Sequence, residues 1–342
     1  MRNPLWPLVT ALFFLIIIGC SSAPLPPTET ALLGIQRAEE TQIPRIPHRP
    51  KATASLTNIA PAEIADPATP TPDTAMITPI SPTVPAASPT PRPTLEPEAW
   101  KQLPVVPPIS DRVVEIYRRG VEAGNDPGAF SKIGDCGSTP GWFLGDFDRG
   151  PRYYDLGDYQ ELSRVIQAYQ GSYDRASLAA RSGFNASAPF VALWSDRTHC
   201  QAGEAPLACE YRVHKPIMAF IMLGTNDVWH PDEFEPQMRK IIEFSIQSGV
   251  VPIPATKADN QEGDHSINAT IARLAWEYEI PLWNFWAAVN SLPDHGLQED
   301  QVHLTWAGNG FDDPETLTKA WPIRNLTALQ VLNAVWEKVE AR

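Results

Sequence analysis

Three short clusters in this sequence bring together residue types suited to acyl-transfer chemistry. The first, Gly134-Asp135-Cys136-Gly137, closes an apolar stretch that begins at Ala129. A strand that stops at a glycine-flanked nucleophile lifts that side chain clear of the sheet edge, close to unengaged backbone N–H groups. The second, Gly224-Thr225-Asn226-Asp227, follows the continuous apolar run at 217–223. Its Asn226 is an uncharged donor, able to meet a developing oxyanion without titrating. The third is Asp300-Gln301-Val302-His303. A carboxylate three residues before a histidine can accept the imidazole N–H, fix its tautomer and stabilise the imidazolium. Taken singly, each cluster also reads as an ordinary turn, a cap or a surface pair.

The elements that must position these clusters alternate in the manner of βα units. Ser110 is placed to cap a helix through Val113, Val114, Ile116 and Tyr117, stopped by Gly120 and Gly124-Asn125. A strand runs from 129 to 135. Asp158 and Glu161 form a capping-box-like start for a helix carrying Leu162, Val165, Ile166 and Tyr169. The run at 217–223 reads as a central strand covered on both faces. Helical spacing follows over 234–248, then a strand over 250–254 whose prolines suggest a short or edge position. A helix over 267–278, a strand over 280–285 and a final amphipathic helix over 326–339 complete the order. This predicts an α/β fold, a three-layer α/β/α sandwich on a mostly parallel sheet, with its site at the carboxyl ends of the strands.

The chain of 342 residues is not all expected to be globular, because 20 of its 36 prolines fall between Pro24 and Pro108. Residues 21–108, rich in Pro, Thr, Ala and Ser, cannot bury enough apolar surface to offset the entropy of ordering, and read as a disordered stalk. Fully extended, such a stalk would exceed ~200 Å. Before it, Arg2 precedes an apolar run at 8–18, too short to span a bilayer and suited to a secretory signal. Gly19-Cys20-Ser21-Ser22 then resembles a bacterial lipobox. The resemblance implies cleavage before Cys20 and a lipid on its thiol, which would anchor the chain to a bacterial membrane on the extracytoplasmic side. An ordinary signal peptide, or a short membrane anchor, with an incidental cysteine is the alternative. The expected division is therefore 1–20 signal, 21–108 stalk and 109–342 folded domain.

With Cys20 lipidated, Cys136, Cys200 and Cys209 remain. Three pairings are conceivable, and proximity favours Cys200 with Cys209, a closure contributing roughly 2–3 kcal/mol in the chain-entropy view. Cys136 is then the odd thiol, expected free and reactive in a secreted protein. A net charge of −13 and no basic stripe argue against a nucleic-acid partner. No histidine pair has metal-ligand spacing, so no metal or other cofactor is expected.

The three clusters, in this order and at these strand ends, resemble the SGNH (GDSL-type) hydrolases, whose blocks read GDS, GxND and DxxH. The resemblance covers about residues 129–340. It implies His303 as general base, Asp300 as its orienter and Asn226 as an oxyanion donor beside the nucleophile's own N–H. The family's second block is matched only loosely by the segment Arg181 to Ser187, where Ala186 and Gly183 compete to supply a further backbone donor. Cys136 stands where the family has serine. A thiolate beside His303 is a strong nucleophile, yet a longer C–S bond can misplace it against an oxyanion hole built for serine. A non-catalytic domain of the same fold, binding glycan or protein at the cell surface, and a role for Ser138 in place of Cys136 remain open readings. The function expected first is hydrolysis of an ester or thioester on an acylated small molecule or extracellular polysaccharide.

Overall fold

The computed structural model describes residues 94–341. The lipobox, Cys20 and the stalk up to residue 93 lie outside the described residues. In chain order the elements are α1 (Asp111–Glu122), β1 (Asp126–Gly134), α2 (Asp146–Arg149), β2 (Tyr154–Asp155), α3 (Ser163–Ala168), α4 (Pro206–His214), β3 (Pro216–Met222), α5 (Pro231–Gln247), β4 (Val251–Pro254), α6 (Ser266–Glu277), α7 (Phe285–Val289), β5 (Asn309–Gly310) and α8 (Ala320–Glu340). Among the described residues no helix is long and apolar enough to cross a membrane.

The central sheet is parallel, with β3 between β1 and β4. Parallel bridges extend it by one residue on each side, from Gly134 to Ala180 and from Ala255 to Trp283. Across the sheet the segment at Ala180, β1, β3, β4 and the segment at Trp283 therefore lie side by side, a doubly wound arrangement whose sites form at the carboxyl ends of the strands. The predicted mixed α/β fold with a parallel sheet is the one observed. A short parallel pair, β2 with β5, stands apart from it.

β3 is the centre because both of its faces are covered. Toward one face, Phe220 packs edge-on against Phe130, Phe143 and Trp283 at ring-centroid distances of 5.7, 5.5 and 5.7 Å. On that face Tyr169 also donates to the Met218 sulfur, and α8 closes the layer through Thr327, whose hydroxyl accepts from the Trp283 indole at 3.1 Å. On the other face Ser131 of β1 donates to Glu210 of α4 at 2.5 Å, and α4 and α5 meet through stacked Tyr211 and Phe244. Lys132, fully buried on the first face, is tolerated because its ammonium donates to Tyr173 O at 2.7 Å.

Several boundaries differ from the expected ones. Gly120 does not stop α1 but lies inside it: a Cβ there would come within 2.0 Å of Gly249 O, so the glycine lets the helix touch the lead-in to β4. The stop falls at Gly124, at φ +85°. Ser110 does not cap α1; its hydroxyl donates to Glu279 O at 2.6 Å. The expected strand over 280–285 is reduced to the single bridge at Trp283, because Asn284 turns its side chain back to Trp100 O and Leu103 O, both at 2.9 Å, and caps α7. That contact also shows packed structure starting earlier than residue 109: Trp100 is only 1% exposed.

The side chain at the sheet centre makes a direct test. Phe220→Ala should lower unfolding stability by about 3–5 kcal/mol, the usual cost of emptying a packed aromatic site, measured by urea denaturation.

Candidate active site

At the end of β1 the chain has no room for a side chain at residue 134. A Cβ on Gly134 would lie 2.0 Å from Ser138 Oγ and 2.5 Å from Met222 O. The turn beyond it is held by Asp135, whose Oδ1 accepts from Gly137 N at 2.9 Å. Cys136 O accepts from both the backbone N–H and the hydroxyl of Thr139. Ser138 is fully buried beneath Gly134, with no hydrogen-bond partner for its hydroxyl among the described residues, which removes it as a nucleophile.

The cysteines depart from expectation at one point. Cys200 and Cys209 form a disulfide, as proximity suggests. Cys136 is not the free thiol expected: it is also disulfide-bonded, to a partner outside the described residues. The expectation came from parity, which had removed Cys20 from the count as a lipid attachment.

The loops after residue 181 and after β3 are joined. Arg181 N donates to Gly134 O, bringing the first of them beside the turn at 134–137. Asn226 Nδ2 donates to Phe184 O, and Ala186 N donates to Asp227 Oδ1, each at 2.9 Å. Ala186 is therefore committed to Asp227 and does not offer an oxyanion donor, a correction to its candidacy. Gly183, at φ +81°, makes no hydrogen bond through its N–H among the described residues and is the better placed of the two. A primary amide has two N–H bonds, so Asn226 keeps one after serving Phe184. Burial raises the Asp227 carboxyl above its ordinary value, against the pull of the Ala186 and Gly224 N–H groups and Lys257.

The third cluster is preassembled. His303 Nδ1 lies 2.6 Å from Asp300 Oδ2, while Asp300 Oδ1 accepts from the N–H groups of His303 and Val302. Partial burial would raise the Asp300 carboxyl, but these hydrogen bonds and the His303 charge outweigh it and hold the group below its usual value. With Nδ1–H given to Asp300, Nε2 carries the lone pair a general base needs.

The sheet edge gathers these clusters through residues the sequence reading passed over. Thr305, two residues past His303, accepts from Ala320 N and Trp321 N at the start of α8, each at 3.0 Å. One turn further along α8, Arg324 donates to Trp142 O and packs against Gly137 beside Asp135. Burial lowers the Arg324 guanidinium to about 10, opposed by the Asp135 charge. Lys257 is the second such residue. Its ammonium binds Asp259 and Glu262 at 2.6 and 2.5 Å, and Asp259 accepts from Thr225 at 2.7 Å, tying the β4 loop to the β3 loop. In the sequence, Arg324 is one charged residue in a stretch of α8 that is otherwise mostly apolar or uncharged, the only signal that it serves something buried.

The same loops expose indoles. Trp194 packs on Phe184 and Arg181, Trp229 follows the turn containing Asp227, and Trp306 follows Thr305; they are 45, 75 and 60% exposed.

No protein-family model and no curated protein matches the sequence. Among solved structures, the chain is similar to a catalytic mutant of an acetylxylan esterase from Geobacillus stearothermophilus, at 18% identity over 61% of this chain and 94% of that one, TM-score 0.38. A second catalytic mutant of that esterase is similar at 16% identity over the same shares, with a TM-score of 0.37. A GDSL-like lipase from Bacteroides thetaiotaomicron is similar at 14% identity over 65% of this chain and 98% of that one, TM-score 0.36.

The Asp135 carboxyl gives a pH test. Burial, opposed by the Gly137 N–H and Arg324, pushes it up to about 6. The unfolded value is near 3.9, so the folded state holds the proton more tightly and this group's contribution to stability falls as pH rises through 6. Between pH 5 and 7.5 the wild type should lose about 1–2 kcal/mol more unfolding stability than Asp135→Asn, measured by urea denaturation. Parallel stability curves would show that the carboxyl titrates normally.

Proposed function

We propose that this domain is an acyl hydrolase of SGNH type, acting on ester or thioester bonds. The observation that carries the reading is the bonded His303 and Asp300 pair, on a loop held by the same first turns of α8 that set Arg324 against the turn containing Cys136. In its reduced form Cys136 gives its proton to His303 Nε2 as its sulfur attacks the acyl carbon. Asn226, Gly183 N and the nucleophile's own N–H stabilise the tetrahedral oxyanion. His303 returns the proton to the departing alkoxide or thiolate, then takes one from water as that water attacks the acyl-cysteine and gives it to the Cys136 sulfur as the carboxylic acid leaves. Asp300 holds the imidazole throughout and stabilises its charged form.

The substrate we propose is an acylated extracellular polysaccharide, with the domain held from a bacterial membrane by a lipidated Cys20 and the stalk. What supports this is the lipobox-like start and the Pro/Thr-rich composition. A second reading is favoured by the disulfide at Cys136: in the oxidised state the domain would bind its ligand without turning it over.

Hydrolysis of p-nitrophenyl acetate and of an acyl thioester, with and without a phosphine reductant, tests both. Reduced wild type should be active and blocked by iodoacetamide, and Cys136→Ser should be active without reductant. His303→Ala should lower kcat/KM by about 10²–10⁴-fold. If reduced wild type and Cys136→Ser are folded yet inert, the hydrolase reading fails and the binding domain stands. The mass of the mature N-terminal peptide decides the anchor, since a diacylglyceryl thioether at Cys20 adds a mass that an unmodified cysteine lacks.

A further inference from the structure

Beside the loop at 300–303 lies a cavity of about 220 Å³. Four side-chain amides (Asn260, Gln261, Asn290 and Gln301) and the imidazole of His265 line it against the indole of Trp286. Gln301 is the residue between Asp300 and Val302, so one wall of the cavity comes from the loop that carries the candidate general base. Its lining holds no carboxylate, ammonium or guanidinium.

The walls are fixed before any ligand arrives. Trp286 packs edge-on against Trp100 and His265, at 4.9 and 5.7 Å between ring centroids. Gln261 Nε2 donates to Gln301 O at 2.9 Å, and Asn260 Oδ1 accepts from His265 N at 2.9 Å. A second imidazole at the rim, that of His295, is held by Asn290 O at 2.8 Å. Hydrogen-bonding capacity is left over. Among the described residues His265 Nδ1 is buried without a partner, and the Asn290 side-chain amide makes no hydrogen bond. Burial and the charge of Lys101 lower the His265 imidazole, leaving it neutral at pH 7.

Uncharged donors and acceptors around one rigid indole suit a neutral ligand that carries many hydroxyls on a ring with an apolar face. A charged ligand would enter with no counter-charge in the lining, and an acyl chain would leave the Asn290 amide and His265 Nδ1 without a partner. The volume lies below the ~300 Å³ typical of pockets for whole small molecules, which fits one ring of a longer chain. The exposed indoles Trp229 and Trp306, on loops of the same sheet edge, offer further stacking faces for neighbouring units.

We propose that this cavity is a subsite for one neutral pyranose unit of a glycan whose acyl group is presented to His303. The proposal rests on the hydrolase reading for the role of His303, but the binding itself does not need turnover. The test is titration calorimetry of the protein spanning residues 21–342 with the neutral β-1,4-linked hexasaccharides of glucose, xylose and N-acetylglucosamine, and with hexagalacturonate as the anionic control. At least one neutral hexasaccharide should bind, more tightly than the control. Asn290→Ala and Gln301→Ala should each weaken it at least tenfold, while His303→Ala keeps the affinity. Failure of all three neutral sugars to bind, preference for the anionic control, or undiminished binding by both amide variants would overturn the subsite. Hydrolysis of p-nitrophenyl acetate, measured on the same protein, reports the hydrolase reading separately.

Discussion

The first two turns of α8 hold the site together. Their free backbone N–H groups at Ala320 and Trp321 take Thr305, which fixes the loop bearing His303. One turn on, Arg324 reaches the Trp142 carbonyl and the turn after β1. Asn325, fully buried, accepts from Leu144 N and donates to Asn309, which itself donates to Asp146. Segments separated by up to about 180 residues in sequence are thereby tied to a single helix end. Buried polar groups of this kind are costly unless satisfied, so the network specifies one arrangement of the loops rather than adding much net stability.

The electrostatics of the edge follow from the same burial. Asp135 and Arg324 oppose one another with little access to water, and each is shifted toward its neutral form by desolvation. Asp227 shares the raised character of Asp135 and serves as a strut between the loops. His303 and Asp300 are partly exposed, at 37 and 49% of their side chains, as a pair that exchanges protons with substrate requires. The site thus separates the bonded carboxylates of Asp135 and Asp227 that shape it from the more exposed carboxylate of Asp300 that orients the base.

The sulfur of Cys136 brings redox state into the chemistry. A thiolate is a nucleophile and a cystine is not, so the chemistry open to this position depends on that one bond. The disulfide between Cys200 and Cys209 is of another kind: it staples the loop before α4, away from the motif-bearing turns, where closing a short loop only restricts the unfolded chain.

Much of the fold was legible in local patterns. The apolar run that became β3, the helical spacing of α5, α6 and α8, and the dipeptide turns at the strand ends are all read from residues a few places apart, which is the range over which periodicity and turn chemistry act. The Asp300 and His303 pair was legible for the same reason, being three residues apart. What failed was decided by distant partners. Gly120 looked like a helix stop until Gly249 packed against it. Ala186 looked like a donor until Asp227 claimed its N–H, and Ser110, though it sits at the N-cap of α1, gives its hydroxyl to Glu279 O. Ser138 could be removed as a nucleophile only once Met222 O and Gly134 were seen to crowd it into the interior.

The sequence by itself determined the order of strands and helices, the three motif-bearing turns and the bonded pair of Asp300 and His303, because each is set by neighbours along the chain. Only the tertiary structure decided which polar groups are already spent, what Arg324 and Lys257 hold, and that an amide-lined cavity opens beside Gln301. Those outcomes depend on burial, and burial depends on which distant surfaces meet.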